Sequence, residues 1–248
     1  MKAIVTGLNG TVAPAVAANL RAAGYTIIPW DRAVLPIDDS DAARAFLQRE
    51  TPDCFFHIAT GSPDWVELAA RLCAERGVDF LFTSSVSVFA AAQRGPFTVE
   101  DEPQPDDDYG RYKLECERRA QAANPAAQIV RLGWQIGLAP GGNQMVDYLD
   151  RAFRADGELQ ASRHWYPACS FLADTADSLR RIREMAPPGL YQLDGNPGLN
   201  FYEIVEGLNR LLGQPWRVAP TVEPRQNNRL LDSQTAVTSI AERLPPIA

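Results

Sequence analysis

Short apolar runs alternate with amphipathic stretches along most of this chain, and that alternation limits the available folds more than any other feature. KAIVTG reads as a strand, and residues 10–20 then place Val12, Val16, Ala17 and Leu20 at helical spacing. Pro14 falls in the first turn of that helix, where amide hydrogens lack intrahelical partners, so it is tolerated. The strand pattern returns in TIIPW (26–30), CFFHIA (54–59), VDFLFTSS (78–85) and AQIVRLGW (127–134). Between these runs, DSDAARAFLQRE opens with capping residues, PDWVELAARLCAERG closes on Gly77, and 109–123 has helical periodicity. Strands and helices in this order predict an α/β fold with a doubly wound parallel sheet. Beyond Gly141 the pattern predicts helices at 144–155, 173–185 and 201–212 and a strand at LYQLDG. The last 35 residues, with Pro215, Pro220, Pro224, Pro245 and Pro246, read as loops with short elements.

TGLNGTVA, 6–13, joins the first strand to the first helix. Gly7 suits a sharp turn, Gly10 lets backbone approach a pyrophosphate, and the helix start offers free amides and the positive end of a dipole. Ala13 stands where the common fingerprint has a third glycine. Alone, such a turn is a weak signal whose plain alternative is an ordinary strand-to-helix connection. Asp31 strengthens it, because 21 residues after Gly10 an acidic side chain at the end of the second strand can bind an adenosine ribose. Its plain alternative is a solvated turn aspartate. Arg32 beside it suits a 2′-phosphate, so NAD and NADP both stay open.

Of 24 basic residues only Lys2 and Lys113 are lysines. Lysine is a compact ammonium on a flexible stem and fits tight sites that the wide arginine fork does not. Tyr109 lies four residues before Lys113 on a predicted helix, so the two share a face. A nearby ammonium favours phenolate, which equips a tyrosine to exchange a proton with a carbonyl or alcohol. Tyr112, adjacent to Lys113, points elsewhere. Ser84, Ser85 and Ser87 sit at or just past the end of the fourth strand, where open parallel sheets bind ligands. The plain alternatives are a surface Tyr–Lys pair and serines serving a turn.

A net charge of −7 and a pI near 4.9 argue against a nucleic-acid surface. No apolar run approaches the length of a membrane span, and MKAIVTGLNG lacks the h-region of a signal peptide, so a cytoplasmic protein with no membrane partner is expected. Cys54, Cys73, Cys116 and Cys169 are widely spaced and read as buried reduced thiols. No metal is expected. His57, inside an apolar strand, reads as a packed histidine.

TGLNGTVA, Asp31, HIA, LFTSSVSVF and YGRYK, in that order, resemble the extended short-chain dehydrogenase/reductases. GPFTVEDEPQPDDDYGRYKLECE, VRLGW, GGNQ, GLYQLDG and RQNNRLLDSQ narrow the resemblance to the dTDP-4-dehydrorhamnose reductases and their sugar-nucleotide-binding relatives, over nearly the whole chain. The resemblance implies a Rossmann-type sheet with a small C-terminal substrate-binding subdomain. The dinucleotide domain would span 1–142, with 168–195 returning to it; 143–167 and 196–248 would bind substrate. Tyr109 would be the general acid, Lys113 would bind the nicotinamide ribose and depress the tyrosine pKa, and Ser85 would orient the carbonyl. Gly7, Asn9, Gly10, Thr11 and Val12 would hold the pyrophosphate, with Asp31 and Arg32 at the adenosine ribose. Ala59, Thr60 and Gly61 would touch the cofactor, and Gly133 and Trp134 would lie beside the nicotinamide.

SRHWYP falls in the region that binds nucleotide sugar in that family. Trp165 suits stacking on a base and Arg163 pairing with a diphosphate, beside His164; Gln144, Arg225 and Asn227 are weaker candidates of the same kind. The resemblance also implies an additional helix with an asparagine between HIA and LFTSS, for which only about 20 residues remain. The expected activity is NAD(P)H-dependent reduction of a keto group on a nucleotide-activated sugar. An epimerase or dehydratase, or a non-catalytic NAD(P)-binding regulator, is the alternative. A homodimer is left open.

Overall fold

A computed structural model describes residues 1–245; Pro246 and the two residues after it, at the end of the expected substrate region 196–248, lie outside the described residues. In chain order, the first nine elements are β1 (Lys2–Val5), α1 (Val12–Ala22), β2 (Thr26–Pro29), α2 (Ser40–Glu50), β3 (Cys54–His57), α3 (Pro63–Arg76), β4 (Asp79–Ser85), α4 (Asp108–Ala123) and β5 (Gln128–Leu132). There follow β6 (Trp134–Ile136), α5 (Met145–Asp156), β7 (Leu159–Ser162), β8 (Trp165–Tyr166), β9 (Cys169–Phe171) and α6 (Leu172–Met185). β10 (Gly189–Leu193), α7 (Phe201–Leu211), β11 (Val218–Thr221) and β12 (Gln226–Asn227) complete the set.

Six strands form one parallel sheet in the order β10-β5-β4-β3-β1-β2. Its strands are too short to specify a face by themselves, and burial does that work. Ile4, Phe55, Phe80, Phe82 and Ile129 pack under α2, α3 and α4, whereas Val5, Phe56, Leu81 and Val130 pack under α1 and α6. The sheet is therefore covered on both sides, which explains the nearly continuous apolar runs. The order reverses between β1 and β3, and ligands of such sheets bind beyond the carboxyl ends at that switch point.

Both α3 and α4 begin where their capping residues put them. The Ser62 side chain accepts from Trp65 N, Pro63 takes the first helical position, and Gly77 closes α3 at φ 66°. Asp107 caps α4 by accepting from Gly110 N at 2.6 Å, which sets where Tyr109 enters the fold.

One difference from the sequence reading has a physical cause. AQIVRLGW is not one strand: the chain breaks at Gly133, where a Cβ would meet the Ala168 carbonyl carbon at 2.4 Å, and β6 leaves the main sheet to pair with β9. The region after α5 holds short parallel pairs, β7 with β11 and β8 with β12, and β11 and β12 are the short elements expected among the C-terminal loops. Pairs of two to four residues are too brief to leave a period in sequence. As the short spacing between HIA and LFTSS requires, a single helix, α3, joins β3 to β4, and it carries no asparagine. A third core joins α5, α7, β6, β7 and β9 through residues such as Leu149, Leu159, Ile204 and Leu208. All four cysteines are buried and free. Among the described residues no helix is long and apolar enough to cross a membrane, and no cluster of three or more His, Cys, Asp or Glu residues has metal-binding geometry.

Candidate functional site

A cleft of about 880 Å³ opens at the carboxyl ends of the strands, between the sheet and the third core. Its floor is the turn from Gly7 to Ala13. Gly7 sits at φ +81°, and a Cβ there would come within 3.0 Å of Ala59 backbone, so both conformation and space call for glycine. Gly10 N donates to Gly7 O at 2.8 Å and tightens the turn onto α1.

Two helices, α1 and α6, start without a side-chain cap, and of these α6 carries Asp174 in its first turn whereas α1 has no acidic residue there. Side chains cap α2, α3, α4, α5 and α7, supplied by Asp39, Ser62, Asp107, Gln144 and Asn200. Thr11, at the N-cap of α1, makes no such bond, and the first turn carries no acidic residue. Thr11 Oγ1 instead accepts from Asn143 N at 2.8 Å. The first amides of α1 thus face the cleft without a side-chain acceptor, an arrangement suited to phosphate. The cradle fits a dinucleotide.

Asp31 and Arg32 line the far end of the cleft. Asp31 is exposed, two residues beyond β2, and accepts from Ala33 N at 2.9 Å. Arg32 reaches the Thr60 carbonyl at 3.4 Å and lies 5.9 Å from the Trp65 ring. Ala59 and Thr60 also line the cleft. Gly61 lies beside it: a Cβ would strike the Trp65 ring at 2.4 Å, and Gly61 N donates to the Tyr112 hydroxyl at 3.0 Å. Gly61 is exposed at the edge of the cleft and is not among the residues that line it.

Ser85, Tyr109 and Lys113 meet on one wall. Ser85 caps the turn Val86–Val88, accepting from Ser87 N and donating to Ser87 Oγ, both at 3.1 Å. Gly110 lets α4 sit directly on this turn, since a Cβ there would collide with the Ser87 carbonyl oxygen. Tyr109 is 45% exposed and its phenol engages the Ser85 hydroxyl. Lys113 is 3% exposed, donates to the Thr83 carbonyl at 2.9 Å, and lies 4.8 Å from the Phe82 ring.

The electrostatics correct one expectation. Burial raises the Tyr109 phenol above its ordinary range, the Ser85 hydrogen bond opposes that shift, and Asp107 adds to it. Depression by Lys113 does not prevail, because the ammonium is turned to Thr83 and lies 5.8 Å from the ring. Lys113 itself falls to about 8, chiefly through burial. Behind this wall His57 is packed against Trp65, with ring centroids 4.5 Å apart, and burial lowers it to about 3.

Gly133 and Trp134 complete the cleft, and Trp134 leads into an aromatic group with Tyr148, Trp165 and Phe201. The other substrate candidates do not line it. Gln144 is buried and caps α5, accepting from Gly137 N and Val146 N. Trp165 Nε1 donates to Asn228 Oδ1, and its ring lies 4.5 Å from that of Phe201. Arg163 covers the Tyr202 ring at 4.2 Å, Arg225 pairs with Glu223, and His164 is exposed with its backbone joined to Gln226. Asn227 pairs with Tyr166 in β12. Cleft residues not named as candidates in the sequence reading include Gln135, Asn143, Trp30, Trp65 and Thr83. For Asn143 and Gln135, the neighbours Gln144 and Trp134 carried a local signal.

Comparison with known proteins agrees with this geometry. Residues 63–184 match the family model described as the RmlD substrate binding domain. A dTDP-4-dehydrorhamnose reductase of Mycolicibacterium smegmatis is 25% identical, over 93% of this chain and 78% of its own length. A probable low-salt glycan biosynthesis reductase of Haloferax volcanii is 27% identical, over 60% of this chain and 58% of that one. Among solved structures, a dTDP-4-dehydrorhamnose reductase of Bacillus anthracis in complex with NADP superposes with a TM-score of 0.83 at 17% identity, covering 97% of this chain and 96% of that one. That likeness carries the fold.

Proposed function

We propose that this chain, a relative of the extended short-chain dehydrogenase/reductases, is a reductase that acts with NAD(P)H on a keto group of a nucleotide-activated sugar, as a dTDP-4-dehydrorhamnose reductase does. The observation that carries this reading is the convergence of Ser85, Tyr109 and Lys113 on one cleft with the uncapped start of α1. Bound reduced nicotinamide would supply a hydride to the carbonyl carbon. Tyr109 gives its phenolic proton to the carbonyl oxygen, and burial favours this direction, since a raised phenol keeps its proton at neutral pH. Ser85 orients the oxygen. Lys113 holds the nicotinamide ribose hydroxyls with the ammonium hydrogens that Thr83 leaves free.

The amides from Gly10 to Ala13 hold the pyrophosphate, and Asp31 and Arg32 meet the adenosine ribose. We assign residues 1–142 and 168–195 to dinucleotide binding, 143–167 and 196–245 to substrate, and the protein to the cytoplasm. Val86 and Ser87 follow Ser85, so no acid and base pair for a dehydratase accompanies Tyr109. The test is a screen of keto-sugar nucleotides against NADH and NADPH, followed by loss of dinucleotide absorbance. Consumption with a dTDP-4-keto-6-deoxy sugar is expected. Tight dinucleotide binding with no consumption across the screen would instead favour a sensor.

A further inference from the structure

Gln135 is 6% exposed on β6, directly after Trp134, and lines the cleft. Its amide nitrogen donates to the Gly133 carbonyl at 3.0 Å. That bond fixes which way the amide faces, because a carbonyl cannot accept from Oε1 in a flipped arrangement. Oε1 is left buried with no protein donor. A buried acceptor without a donor is costly, and natural proteins leave such groups where another molecule completes them.

The other unpartnered side-chain oxygens are less informative. Ser84 also lines the cleft, but its hydroxyl can turn to donate or accept and so fixes no ligand chemistry; it lies on β4 in register with Arg131, whose Nη1 is also unpartnered. Gln192 Oε1 belongs to a separate cavity of about 370 Å³. Gln135 alone among these three combines a fixed amide with a place close to the reacting groups: Leu132, three residues before it, pairs with Ser85.

We propose that Gln135 is a ligand-recognition residue whose Oε1 accepts a hydrogen bond from a neutral N–H or O–H donor presented in the cleft. Two parts of the expected ligands carry such donors, the carboxamide of the nicotinamide and a sugar hydroxyl. This rests on the reductase reading, which supplies both ligands. An acceptor here discriminates against a ligand that lacks the donor, since binding would then seal an unsatisfied oxygen away from water. Gln135 is assigned to recognition, with no part in proton transfer.

The experiment compares wild type with Gln135→Met, which keeps an unbranched side chain of similar length, and Gln135→Leu as a second variant should the first fold poorly. Fluorescence titration gives NADPH affinity, and steady-state kinetics gives the KM for the sugar nucleotide. If the donor is the carboxamide, NADPH affinity falls about tenfold, and the wild-type preference for NADPH over its 3-acetylpyridine analogue, which has no amide N–H, disappears. If the donor is a sugar hydroxyl, NADPH affinity holds and the sugar-nucleotide KM rises about tenfold instead. Changes below about twofold in both quantities would overturn the proposal. Failure of the wild-type protein to bind reduced dinucleotide at all would overturn it together with the reductase reading, whereas normal wild-type binding with an indifferent variant would overturn the Gln135 assignment alone.

Discussion

The floor of the cleft and the segment from Gln144 to Arg225 each supplied candidate binding residues, and the fold treats the two sets differently. At α1 the N-terminal amides have no side-chain acceptor, while Lys113 and Tyr109 lie against the same space. In the other region the hydrogen-bonding capacity is largely spent inside the protein. Gln144 is consumed by capping, Trp165 by Asn228, Arg225 by Glu223, and α7 begins with a closed capping box between Asn200 and Glu203. What marks a binding residue here is therefore unspent capacity facing a cavity. A suitable residue type alone does not.

The sharpest way to break this contrast is Tyr109→Phe. It should lower reduction by at least about a hundredfold while leaving dinucleotide affinity within about threefold. Retained turnover in the absorbance assay would put the chemistry elsewhere. Lys113→Arg comes next: the buried position cannot seat a planar fork, so kcat should fall by about tenfold or more and the melting temperature should drop with it. Normal values of both would make Lys113 an ordinary helix residue.

The spent side predicts effects on stability instead. Gln144→Ala should cost about 1 kcal/mol through loss of the α5 cap, a fall of roughly 2–4 °C in a scan, with the sugar-nucleotide KM unchanged once the protein is folded. A raised KM at full stability would return Gln144 to the ligand. The smallest effect is expected for Arg225→Ala, whose exposed pair with Glu223 contributes little. Its KM should stay within about twofold of wild type, and a larger rise would return Arg225 to the ligand.

The same contrast explains what could be read from sequence. Gly7, Ser85, Tyr109 and Lys113 were legible because their geometry is local: a left-handed turn, a strand end, and a four-residue helical step. The alternation of elements likewise exposed the sheet, since its strands are buried on both faces. The place of Gln135 and Asn143 on the cleft was not legible, although GGNQ was read as a family turn, because it depends on Gly133 turning β6 out of the sheet and on Thr11 meeting Asn143 across 132 residues. SRHWYP shows the complementary limit. Its aromatic and basic residues suit a nucleotide by type, yet Tyr202 and Asn228, distant in sequence, reach Arg163 and Trp165 first.

A crystal structure of the protein soaked or grown with NADPH tests the central assignment most directly. The account predicts the pyrophosphate against the amides from Gly10 to Ala13 and the nicotinamide beside Tyr109, with its ribose on Lys113. A dinucleotide bound away from the start of α1, or bound there with its nicotinamide remote from Tyr109, would contradict it.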